Sequence, residues 1–389
     1  MIAYNKNWLD NLRIQNTADK WYRKGLIGQL QAESIKNQFT SGYKETNPFL
    51  RIGLALFTFI ASVAAIGMIL LVWGFGDSLW GTVFLGVAVI SWILLELSVK
   101  DNKYFRHGID DMLLYCSIFY FVVGLCVLNL MKYDLTTNDV LFISLGTFPI
   151  LIIASIRFAD SITSVLAYIC MLLIIFLLVE KAGEIGKTIM PFVMLLVSFF
   201  VYRLVTGSKK NQRMHYWHHC LAAVEAVSLI TLYASCNYFI VREASAEFFS
   251  LVLKPGDDIP LALIFYVLTL AIPAAYIVLG VRNKDRIRLR TGVILAALAV
   301  LTYRYYYHII STEIALMVSG TMLVIFSWSV IQKLKTPWRG ITFEDTEKDM
   351  AVAEAEGLLI AQTFGQQVVK SNEVGGGGQF GGGGASGKF

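Results

Sequence analysis

The sequence predicts an all-α, polytopic integral membrane protein with about ten transmembrane helices. Three observations carry that reading. Hydrophobic residues make up 56% of the 389 positions and charged residues only 16%, whereas a soluble domain carries about a quarter charged. Apolar runs of about twenty residues recur along the chain, the length a helix needs to cross a bilayer. Lys and Arg are dense in every second connecting segment and sparse in the others. Alternating ten-residue segments, the mark of a membrane barrel, are absent, and backbone groups in lipid must satisfy one another, so the runs are read as helices.

Taken in order, residues 1–47 form a polar helical hairpin with a joint near Gly25. Trp8, Leu9 and Leu12 mark one apolar face and Leu30, Ile35 and Phe39 another. This polar start is no cleavable signal peptide, so the first span is expected to direct insertion. Residues 48–335 hold the spans, at 49–74, 78–97, 111–131, 138–157, 161–179, 186–206, 217–241, 258–281, 287–306 and 311–331. Pro149, Pro191 and Pro273 lie inside spans and are candidate helix breaks. No internal repeat accompanies them. Pro337 then stops the last helix, and 336–373 reads as an acidic amphipathic helix. Residues 374–389 are a Gly-rich tail expected to stay disordered.

Orientation follows from the basic residues. From Lys6 to Arg339, 24 Lys and Arg fall on the side of the N-terminus and six on the other. That asymmetry places both termini in the cytoplasm, with the bacterial cytoplasmic membrane as the expected location. It also accounts for the net charge of +5 without nucleic acid, because no basic patch sits on a soluble domain. The five cysteines form no C-x-x-C pair, so neither a disulfide framework nor a zinc knuckle is expected.

Two motifs point to relatives. The stretch ADKWYRKGLIGQLQAESIKNQF contains W-x-x-x-G-L-I at Trp21–Ile27, followed by a Gln/Ala/Glu-rich helix. RYYYH, from Arg304 to His308, precedes the last span, IALMVSGTMLVIFSWSVIQ. In these motifs the chain resembles a family of uncharacterised bacterial multi-span membrane proteins, over residues 15–335. The resemblance implies architecture and no established activity. The tail, GGGGQFGGGGASGKF, is similar to those of proteins with a membrane-associated TPM-type domain. Gly382, Gly387 and Lys388 have the spacing of a phosphate loop, but Phe389 stands where Ser or Thr is needed, and no strand or helix flanks them. A tail grip by a partner would use Phe380 and Phe389.

Glu225 is the most informative polar residue. It lies about 12 Å of helical rise inside the seventh span, where a charge must face the bundle interior or a water pocket. His218 precedes it by seven residues on the same face, and desolvation there suits either a proton carrier or a helix staple. His215 and His219, four apart in HYWHHC, are a candidate metal pair needing a third ligand from His107 or Asp111. Arg304, Tyr305, Tyr306, His308 and Glu313 cluster at the outer ends of the last two spans, as an aromatic belt or a polar vestibule. Arg157 is expected to pair with Asp160, and Glu96 with Arg51.

Two readings of function follow. The first is a membrane-embedded assembly protein, bound to the bilayer and recruiting protein partners through its hairpin and tail. The second is a small-solute or proton-coupled transporter working through Glu225. No catalytic motif and no cofactor signature favours an enzyme.

Overall fold

The computed structural model describes residues 2–44, 46–73, 80–130, 136–249, 261–307 and scattered positions between 313 and 332. The described residues are helical, with turns and one isolated bridge between Lys44 and Tyr104. Among the described residues two compact units emerge, one over residues 7–41 and the other over residues 2–6 together with those from 42 to 332.

The first unit is a hairpin of α1 (Lys6–Arg23) and α2 (Gln29–Gln38). Gly25 adopts φ +71, a left-handed conformation open to glycine without penalty. Leu26 N–H then reaches back to the Trp21 carbonyl at 2.9 Å and closes α1. Ala18, Trp21, Ile27, Ala32 and Ile35 form its core, flanked by Ile14, Leu26 and Phe39. Leu30, expected on the apolar face, is 83% exposed, because the core takes the positions two and five residues further on. Gln15 and Asn11 clamp the end of α2 by donating to the Phe39 and Thr40 carbonyls at 2.7 and 2.8 Å. Residues 2–6, 42–44, 46 and 47, expected within the hairpin, belong to the second unit.

The second unit is a multi-pass helical bundle. Among the described residues seven helices are long and apolar enough to cross a membrane. They are α3 (Pro48–Trp73), α4 (Trp80–Lys100), α5 (Ile109–Leu130), α6 (Thr137–Phe158), α7 (Ser161–Glu180), α8 (Gly183–Lys209) and α11 (Ala262–Arg282). A 3-10 turn at Gln212–Trp217 leads into α9 (His218–Ala234), and α10 (Tyr238–Phe249) follows at a 70° bend. Taken as one broken span, that pair makes eight. Ten were expected. The ninth expected span is α12 (Arg286–Tyr307), whose first five residues hold three arginines and shorten its apolar length. Only scattered helical positions of the tenth are described.

Helices meet closely where glycines remove the side chain. A Cβ on Gly81 of α4 would stand 3.1 Å from the Gly124 carbonyl oxygen of α5 and 2.5 Å from Leu128 Cγ. Likewise a Cβ on Gly280 of α11 would stand 2.8 Å from the Leu289 Cα of α12. Two buried clusters anchor the bundle: Ile66, Val87, Ala88, Cys116 and Tyr120 join α3, α4 and α5, and Tyr202, Leu229, Tyr233, Tyr276, Leu295 and Ala299 join α8, α9, α11 and α12. Large apolar side chains such as Phe57 and Leu263 point outward, as a surface facing hydrocarbon requires. Pro149, Pro191 and Pro273 all lie inside unbroken helices, contrary to expectation. The break falls instead at Ser235–Asn237, where no proline or glycine marks it.

Candidate functional site

Alpha-helix α9 carries a row of buried polar groups. At its start Glu225 is 2% exposed, seven residues into the helix. Its carboxylate accepts from Lys209 Nζ and, at 3.4 Å, from Thr206 Oγ1, both on α8. The count of basic residues along the sequence places Lys209 in a connecting loop. Its side chain is only 16% exposed because, as the last residue of α8, it reaches back along the bundle to the carboxylate. His218, the partner expected from helical spacing, opens α9 with its ring edge-on to His219 at 6.3 Å.

The row continues one face along. Ser228 Oγ donates to the Glu225 carbonyl at 2.8 Å. Thr231, Tyr168 of α7 and Ser198 of α8 close a triangle of hydroxyls, with separations of 2.6, 3.1 and 3.1 Å. Ser235 Oγ donates to the Thr231 carbonyl at 2.8 Å. Asn237, in the break, donates to Tyr233 Oη at 2.7 Å and to Thr302 Oγ1 of α12 at 3.1 Å. Tyr238 N–H, freed by the break, finds Thr269 Oγ1 of α11 at 3.0 Å. Thr269 and Asn237, which also accepts from Ile240 N–H at 3.2 Å, thus satisfy the interrupted backbone, the condition for irregular chain inside a membrane protein. From Glu225 to Asn237 the row spans about 18 Å of rise.

The ends of the helices rich in Lys and Arg gather together, and the pairs there differ from those expected. Arg157 of α6 grips Glu96 of α4 through both oxygens, with Nη2 at 2.8 Å from Oε2. Arg51 of α3 pairs with Asp111 of α5 at 2.6 Å. Asp160 is left to cap α7 by accepting from Thr163 N–H at 2.8 Å, and it also accepts from Tyr115 Oη at 3.1 Å. Each acid thus binds a cation on a neighbouring helix or a helix end, which spacing along one chain does not reveal. Trp217 Nε1 donates to the Ile156 carbonyl at 2.9 Å, tying the 3-10 turn before α9 to α6. Residues 2–6 thread into this end, with Ala3 N–H on the Arg157 carbonyl at 2.7 Å and Asn5 N–H on Tyr43 Oη at 2.7 Å. Burial pushes the Tyr43 phenol up to about 12. Burial, then the charges of Asp110 and Asp111, hold the Tyr4 phenol well above its ordinary range.

The remaining candidates separate. His215 lies on the 3-10 turn against Tyr216 and His219 on α9, so the continuous α-helical face that would align the two does not exist. Among the described residues no three His, Cys, Asp or Glu side chains are arranged to hold a metal ion. Of the named third ligands, His107 stacks on Tyr104 and Asp111 is taken by Arg51. Arg304 is half-buried in the last turn of α12, with Tyr305 and Tyr306 beside it in sequence, and Glu313 is exposed. His308, the acidic segment 336–373 and the tail with Phe380 and Phe389 lie outside the described residues. All five cysteines are free. No family model, curated protein or solved structure matches the chain.

Proposed function

We propose that the chain is a ten-span transporter of the bacterial cytoplasmic membrane, both termini inside, that moves protons in step with a small polar solute. The observation that carries this reading is the buried polar row of α9, charged at one end and opening into a helix break at the other. A purely structural bundle has little use for such a row, because intramembrane ionisable groups are expensive and broken helices mark the sites of many transporters. Protonation of Glu225 cancels its attraction to Lys209, so the pair is a two-state element that a proton can bias. The hydroxyls of Thr231, Tyr168 and Ser198, in mutual contact, can each donate and accept, which suits them to relay a proton.

The test is proton flux into pyranine-loaded proteoliposomes after a pH step, alone and with added amino acids, amines or sugars. Wild-type protein is expected to exceed protein-free vesicles, and Glu225→Gln to lower the flux at least about tenfold. A well-folded Glu225→Gln protein with full flux overturns the reading.

The assembly reading is favoured by one observation, the self-contained core of the hairpin unit Asn7–Ser41. Affinity capture from native membranes, comparing the full chain with one lacking the residues after Val374, tests it. Partners that vanish with the tail support it.

A further inference from the structure

Away from α9, a second polar feature lies where the segment before α3 runs beside the segment before α5. Two contacts fix this seam. Lys44 N–H donates to the Lys103 carbonyl at 3.2 Å, in a parallel bridge of Lys44 with Tyr104. Further along, Gly108 lies so close to α3 that a Cβ there would stand 2.3 Å from the Arg51 carbonyl oxygen. Thr46 falls between those fixed points on one side and His107 on the other, with Asp110 two residues past Gly108 and bonded back to His107 and Gly108 N–H. Thr46 Oγ1, His107 Nδ1 and Asp110 Oδ2 are all buried without a hydrogen-bond partner among the described residues.

Asp110 is 2% exposed. Its other oxygen, Oδ1, accepts from His107 and Gly108 N–H at 2.8 and 3.1 Å, so the side chain is held in place. Tyr104 stacks on the His107 ring at 4.2 Å and holds the imidazole plane. Arg51 is committed to Asp111, Asp160 caps α7, and Lys44 and Arg106 lie over the rings of Tyr104 and Phe105. Leaving such groups unsatisfied inside a protein is costly.

We propose that this seam binds an ammonium group, either the free ion or the head of a small primary amine. The three atoms are a hydroxyl oxygen, an imidazole nitrogen and a carboxylate oxygen, and each can offer a lone pair. An ammonium group supplies an N–H for every one of them and a positive charge for Asp110. Water has only two donors and no charge. An alkali ion brings no donors and is poorly served by imidazole nitrogen. The site does not depend on the α9 row and stands whether or not that row moves protons.

The full chain in detergent at pH 7.5 is unfolded by heat in ammonium, methylammonium, sodium or choline chloride at one ionic strength. Ammonium is expected to raise the midpoint saturably above sodium and choline. An equal rise with methylammonium assigns the site to a primary amine, and its absence to the free ion. Asp110→Asn is expected to raise the half-saturating concentration by on the order of tenfold or more. Thr46→Val, which touches no helix cap, is expected to weaken binding in the same direction. A sodium effect equal to that of ammonium, or an ammonium effect untouched by both substitutions, overturns the proposal.

Discussion

The α4–α5 contact and the α7–α8–α9 contact hold helices together by opposite means. In the first, Gly81 and Gly124 let the backbones approach, and Val87, Ala88, Cys116 and Tyr120 fill the space beside them. In the second the seam is polar, with Lys209 on Glu225 and the hydroxyls of Tyr168, Ser198 and Thr231 in mutual contact. Lipid tails give helices no hydrophobic reason to associate, so close packing and hydrogen bonds must serve instead. A glycine contact has one good geometry. A hydroxyl network has several, since each group can exchange donor for acceptor, and an ion pair can be cancelled by one proton. The first contact therefore suits a permanent frame and the second a moving part.

The largest effect should come from Lys209→Met. It leaves the Glu225 carboxylate deep in the bundle without its counter-charge, and breaking a buried pair from one side costs about 3–5 kcal/mol. Glu225→Gln should cost clearly less, because Lys209 at the end of α8 can turn toward water. Thermal unfolding in micelles reads both variants. Equal losses would mean that Lys209 is as trapped as its partner, and the asymmetry between the two ends of the pair would be gone.

Next comes the apolar contact. Gly124→Val sets a side chain where a Cβ already stands 3.0 Å from the Gly81 carbonyl oxygen and 2.9 Å from Leu85. Leu85 can rotate away and the backbone oxygen cannot, so the helices must part, at a cost of about 1–3 kcal/mol. Proton flux per folded molecule should be unchanged, in contrast to Glu225→Gln. A loss of flux without a loss of stability would make the frame part of the mechanism.

These two contacts were not equally legible in the sequence. Apolar run lengths revealed the helices α3 to α8 and α11, because the bilayer dictates that length. Glu225 stood out because a charge inside a span is rare. Its partner did not, since Lys209 sits in a basic cluster, Lys209–Lys210, that reads as solvent-exposed loop. Pairing across helices depends on rotation about each axis, and that is decided by packing. The same gap hid that Arg157 takes Glu96 in place of Asp160 and that Arg51 takes Asp111 in place of Glu96. The break after α9 was hidden for another reason. Proline rules pointed at Pro149, Pro191 and Pro273, whereas the chain turns at Ser235–Asn237, where Asn237 and Thr269 capture the freed backbone. Such a break becomes stable only through residues distant in sequence. The three unpartnered atoms of Thr46, His107 and Asp110 left no linear trace at all, since two loops must come together to bury them.

A smaller effect is expected at Thr231→Val. It removes one hydroxyl from the triangle, and Tyr168 still donates to Ser198 at 3.1 Å. Loss of a satisfied hydrogen bond costs about 1 kcal/mol, so the unfolding midpoint should fall only slightly. Flux should fall more than stability does, because a relay needs every member while a staple can lose one. A proportionate fall in both would reduce the row to a staple.

The smallest effect serves as the reference for the glycine argument. Gly86 lies on α4 five residues after Gly81, and a Cβ added there would meet nothing within 4 Å. The two positions share a helix and differ only in the face they occupy. Gly86→Ala therefore keeps the frame and removes a glycine from a helix interior, which in water favours the helix by up to about 1 kcal/mol. In a span held by lipid the gain should be smaller still, because the membrane already enforces the helix. The expected outcome is an unfolding midpoint at or slightly above that of the wild type. A clear loss at Gly86 would mean that this outward face is covered by protein in the membrane, and the α4–α5 frame would then extend to a neighbour.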